Sequence, residues 1–112
     1  MITYERFLAL ALLVLAPALA SKDQAQAAHK GHLLYLTLSA GCKHDSVPMS
    51  HDVVTEVGKS SGAFDVTLTD DVSPFTAENL KHYDAVVFYT TGGLPMNDEQ
   101  KKASVDFVRS GH

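Results

Sequence analysis

The stretch Leu33-Leu34-Tyr35-Leu36-Thr37-Leu38, closed by Ser39-Ala40-Gly41, decides the fold. It is a short, nearly continuous apolar run, the pattern of a strand covered on both faces. A second run of this kind, Asp84-Ala85-Val86-Val87-Phe88-Tyr89-Thr90, also carries apolar residues on both parities. Between the two, Val47 to Ser60 places Val53, Val54 and Val57 at helical spacing, with Ser46 or Ser50 able to cap its start and Gly62 its end. Phe64-Asp65-Val66-Thr67-Leu68-Thr69 alternates at period two and is broken by Asp70-Asp71 and Ser73-Pro74, which predicts another strand. A short helix is expected from Thr76, and a last one where Asn97 and Gln100 form a capping-box pattern ahead of Ala103, Phe107 and Val108, ending at Gly111.

Strand and helix alternate three times, so the fold class is α/β with a parallel sheet, because parallel neighbours need a crossover helix between them. The predicted strand order is 2-1-3. That order leaves the third strand at an edge, although a run as apolar as Ala85 to Tyr89 normally lies between two others. The expectation is therefore a chain that is the N-terminal part of a larger domain, with later strands missing.

Composition narrows the function. The 112 residues hold 46% hydrophobic and 20% charged side chains, which suits one packed domain. Nine Lys+Arg against thirteen Asp+Glu give a net charge of −4, and no basic cluster exists to neutralise a phosphate backbone, so nucleic acid is excluded as a partner. The single cysteine, Cys42, excludes disulfide scaffolds and zinc ribbons.

Residues 1–20 read as a Sec signal peptide: Arg6 precedes the apolar run Phe7 to Leu15, and Ala18-Leu19-Ala20 offers the small residues that signal peptidase accepts. Ala25-Gln26-Ala27 offers them again, so cleavage is expected after Ala20 or Ala27. The run is shorter than the roughly 20 residues of a spanning helix. A periplasmic or secreted protein without a stable membrane anchor is expected, the alternative being a membrane anchor formed by an uncleaved leader. Residues 21–31 read as a linker and 32–112 as the domain.

Taken together, Gly41-Cys42-Lys43-His44-Asp45-Ser46 after the first strand, Asp70-Asp71 after the second, Tyr83-Asp84-Ala85-Val86-Val87-Phe88, Thr90-Thr91-Gly92-Gly93, and Asn97-Asp98-Glu99-Gln100 leading to Phe107-Val108-Arg109-Ser110-Gly111 resemble the ThuA-like (trehalose utilisation) family of the class I glutamine amidotransferase-like superfamily. The resemblance covers His32 to His112. It implies a flavodoxin-like three-layer sandwich and a link to carbohydrate metabolism. Family members continue into a glycine-rich turn and a strand ending in Gly-Ile-His or Gly-Val-His, so the stretch here is expected to be inactive as a fragment.

Ligands of open parallel sheets gather beyond the carboxyl ends of the strands, where strand order reverses. For order 2-1-3, the loops Gly41 to Ser46 and Thr91 to Met96 face that crevice. His44 and Asp45 are the candidate catalytic residues: an imidazole can shuttle protons or donate to a sugar hydroxyl, and a carboxylate accepts from hydroxyls. On spacing alone His44 reads as a solvated loop residue, and the family motif is what reverses that reading. Ser46, Thr91, Gly92 and Gly93 are the candidate ligand-binding residues. Ser46 has helix capping as its alternative role, and the glycines either present N–H groups to an anion or simply allow a tight turn.

Other constellations carry less. Cys42 is not in a Gly-x-Cys-x-Gly elbow and follows the wrong strand, so it reads as a packed or idle thiol. His44 and His51, with Asp45 and Asp52, have no known metal-ligand spacing and no third ligand, so no metal is assigned. A response-regulator reading fails because Thr90 to Gly93 stands where an aspartate should end the third strand.

Two functions follow. One is an exported domain that acts on or binds a sugar or sugar derivative, a small-molecule carbohydrate ligand. The other is a non-catalytic carbohydrate-binding or interaction module. A glutamine amidotransferase would need a cysteine elbow and a cytosolic location, and the leader argues against it. No cofactor is specified by the sequence.

Overall fold

The computed structural model describes residues 29–112, so the leader read over 1–20 and most of the 21–31 linker lie outside the described residues. The elements are β1 (Gly31–Leu36), α1 (Ser46–Ser61), β2 (Phe64–Thr69), α2 (Ala77–Leu80), β3 (Ala85–Phe88) and α3 (Asp98–Arg109). All strands are parallel, in the order β2-β1-β3 expected from the sequence. β1 is central: Leu33 pairs with Val66 on one side and Ala85 on the other, and Leu36 with Thr69 and Phe88. The α/β architecture and strand order are those of a flavodoxin-like sheet.

Alternation along β1 divides the core between the two faces. Leu34 and Leu36, fully buried, point to the side of α2 and α3, where they cluster with Phe75, Leu80, Ala103 and Phe107. Tyr35 and Thr37 point the other way, to α1, where His51 meets both. Phe75, in the turn between β2 and α2, is completely buried and packs against Phe88 with ring centroids 5.3 Å apart.

Local signals fix the helices. Asn97 accepts from the Gln100 amide, the Gln100 side chain accepts from the Asn97 amide, and Gln100 also donates to the Val72 carbonyl, tying α3 to the turn after β2. Thr76 caps α2 through the Asn79 amide. At the end of α1, Gly62 takes the left-handed conformation and donates to the Gly58 carbonyl. The start of α1 differs from expectation. Asp45 occupies the N-cap position without a side-chain cap bond, Ser50 bonds back to the Val47 carbonyl, and Ser46 turns away to Tyr89. Pro48 is accommodated because it stands in the first turn, whose N–H groups have no intrahelical partner.

The amino ends of the strands are held by polar contacts. The Asp84 carboxylate accepts from the His32 amide at 2.7 Å and lies 3.2 Å from His29 Nε2, while Lys30 pairs with Asp65 at 2.6 Å. Chemistry at the opposite, carboxyl ends therefore sits on an anchored sheet. On β3, Val87 and Phe88 are 36% and 44% exposed, so the apolar run does form an edge among the described residues.

Candidate functional site

Beyond the ends of β1 and β3 the two chains stay in register. The Tyr89 amide donates to the Leu36 carbonyl at 2.8 Å, Thr91 to Leu38 at 3.4 Å and Gly41 to Thr91 at 3.0 Å, with a parallel bridge between Ser39 and Thr91. The Thr91 hydroxyl donates to the Cys42 carbonyl at 2.7 Å. Gly92 makes this junction possible. Its φ is +75°, and a Cβ there would stand 2.7 Å from the Gly41 nitrogen, so both its conformation and its contact exclude a side chain.

Beside this junction lies an open cleft of ≈ 290 Å³, lined by Ser39, His44, Ser46, Val47, Tyr89, Thr90 and Thr91. Five of these side chains carry a hydroxyl and one is an imidazole. Every hydroxyl can both donate and accept, so the lining matches a ligand that does the same. Val47, 8% exposed, supplies the apolar part.

The cleft is braced from behind. Ser46 Oγ and Tyr89 Oη are 2.7 Å apart, joining the start of α1 to the end of β3. The Tyr89 ring stacks on Tyr35 with centroids 6.3 Å apart, and Tyr35 meets His51 edge-on at 6.2 Å. His51 Nε2 lies 3.0 Å from the hydroxyl of Thr37, which is buried in the sheet. The wall of the cleft is thus fixed through three rings to β1 and α1.

Of the residues singled out in the sequence, His44, Ser46 and Thr91 come together in this cleft. Asp45 stands at the head of α1 and is not part of the lining. Gly92 braces the floor of the junction, and Gly93 has open space where a Cβ would be. Cys42 is exposed, with Sγ 3.8 Å from the Lys43 carbonyl. His51 serves Thr37 and Tyr35, and among the described residues no three His, Cys, Asp or Glu side chains gather as metal ligands. No helix among the described residues is long and apolar enough to cross a membrane.

Ser39, Tyr89 and Thr90 line the cleft without having been singled out as site residues. Their signal was position: each follows directly on an apolar strand at its carboxyl end, where ligand-facing groups belong in this topology.

A comparison with protein-family models matches residues 32–112 to ThuA, described as trehalose utilisation. No curated protein and no solved structure matched.

Proposed function

Because the chain belongs to the ThuA (trehalose utilisation) family, we propose that its domain binds a sugar or sugar derivative in the cleft at the carboxyl ends of β1 and β3. The observation that carries this reading is the lining itself, five hydroxyls and an imidazole around one aliphatic side chain. A neutral polyol presents alternating donors and acceptors: the Ser39 and Thr90 hydroxyls can answer either by rotating, while Ser46, Tyr89 and Thr91, each already in a hydrogen bond, still offer acceptor lone pairs. The exposed Tyr89 ring, backed by Tyr35, adds a flat apolar surface for the C–H face of a sugar ring. The leader over residues 1–20 supports a protein that meets this ligand outside the cytosol.

In this reading His44 is the group that can give or take a proton at a ligand hydroxyl. The non-catalytic binding module is the second reading, and one observation favours it. Among the described residues His44 makes no side-chain hydrogen bond that would fix its tautomer, whereas the neighbouring Ser46 and Tyr89 are fixed by each other. Calorimetric titration against a panel of sugars tests the reading, with His44→Ala as the variant and circular dichroism as the folding control. Weaker binding by His44→Ala at an unchanged spectrum supports it. Equal affinity of variant and parent returns His44 to the role of a solvated loop residue.

A further inference from the structure

The hydroxyl groups of the cleft are not equally free. Thr91 donates its hydroxyl proton to the Cys42 carbonyl at 2.7 Å, and a carbonyl can only accept. Toward the cleft Thr91 therefore offers lone pairs alone.

Ser46 Oγ and Tyr89 Oη stand 2.7 Å apart, and the distance by itself leaves the direction of their hydrogen bond open. Acidity decides it. A phenol is a stronger acid than an aliphatic alcohol and so the better donor, while the alcohol oxygen is the better acceptor. Tyr89 therefore donates and Ser46 accepts. The Ser46 proton is left over, and a hydroxyl that accepts a hydrogen bond is polarised into a stronger donor. Ser46 lines the cleft, so that proton is available to a bound molecule. Tyr89 is held in place for this role: its ring stacks on Tyr35, itself only 7% exposed, and its amide donates to the Leu36 carbonyl at 2.8 Å.

Resting on the sugar-binding reading, we infer that Ser46 is the specificity-determining donor of the cleft and Thr91 an acceptor on the same cleft, with Tyr89 a positioning residue that acts through Ser46. A ligand must then present a lone pair at one point and a proton at another. A sugar hydroxyl can meet either demand, and each contact fixes which one it meets.

Calorimetry with glucose and its deoxy and deoxyfluoro analogues, one of each for every hydroxyl-bearing carbon, tests the inference on the parent, Ser46→Ala and Tyr89→Phe. Fluorine accepts weakly and donates nothing, whereas a deoxy position does neither. At the carbon that meets Ser46 the deoxy sugar should bind about fivefold more weakly than glucose, with the fluoro sugar between them. At the carbon that meets Thr91 both analogues should be equally weak. Ser46→Ala should erase the first difference and Tyr89→Phe should shrink it, and both should keep the second. Two results would overturn the inference: no carbon at which the fluoro sugar outbinds the deoxy sugar, or variants that weaken every analogue by one factor, as a wall brace alone would. Neutron diffraction from the deuterated protein without ligand locates the deuteron between the two oxygens. It is predicted on Tyr89 Oη, and finding it on Ser46 Oγ would reverse the assigned polarity. A parent that binds none of the sugars would defeat the sugar reading, and the deuteron position would then decide the polarity independently.

Discussion

Gly92 rests on Gly41 so closely that a methyl group on its α-carbon would stand 2.7 Å from the Gly41 nitrogen. This contact locks the loop after β3 against the loop after β1, and the cleft is shaped by what that lock holds in place. Gly92→Ala should lower stability by about 2 kcal/mol, since it adds a left-handed non-glycine residue to a backbone clash. Gly93→Ala, with open space at its Cβ, should be near neutral. Urea unfolding of both variants measures the difference, and equal midpoints would show that the junction yields at no cost.

Phe75 and Phe88 are partners in one ring contact but stand in opposite environments. Phe75 is fully buried and Phe88 is 44% exposed. Phe75→Ala should cost about 3 kcal/mol or more through the cavity it leaves, and Phe88→Ala clearly less. Thermal melts of the pair should rank in that order, and the reverse ranking would move the centre of the core away from the α2–α3 face.

The Asp84 carboxyl is held below its ordinary value of 3.8, first by the His32 amide and then by His29. A carboxylate whose folded pKa is depressed stabilises the fold above its unfolded pKa, and that stabilisation is lost as pH falls through the folded value. Asp84→Asn should therefore flatten the acid limb of a stability–pH curve while changing little of its shape from neutral pH upward. The check is a series of urea midpoints descending through the carboxylate range, and an unchanged acid limb would show that the contact is absent in solution.

If residues 1–20 are a signal peptide, they are removed on export. N-terminal sequencing of the exported protein should begin at Ser21 or Ala28. Recovery of an intact Met1 on a membrane-embedded product would support an uncleaved anchor instead.

The fold was legible where the deciding interactions are local or periodic. The apolar run around Leu34 and Leu36 marked the central strand, and the Asn97–Gln100 pair and Gly62 marked helix ends, because each cap is made within a few residues. Phe75 was not legible. It lies in a turn between Pro74 and Thr76 with no periodicity around it, and its burial comes from α3 and β3 closing over that turn. Asp45 displaced the serines at the head of α1 because Ser46 found a partner in Tyr89, a contact across 43 residues of chain. Within the site, His44, Ser46 and Thr91 stood out as polar groups in loops. Tyr89 was hidden by the strand run it belongs to, and Ser39 by its role in closing the first strand.

The central claim, that the cleft between the ends of β1 and β3 holds a sugar, is tested most directly by amide and side-chain chemical-shift mapping of the labelled protein titrated with glucose and trehalose. The account predicts saturable shifts centred on His44 to Val47 and Tyr89 to Thr91, lost or much weakened in His44→Ala. Shifts confined to other parts of the surface, or no saturable shift at the cleft, would contradict it.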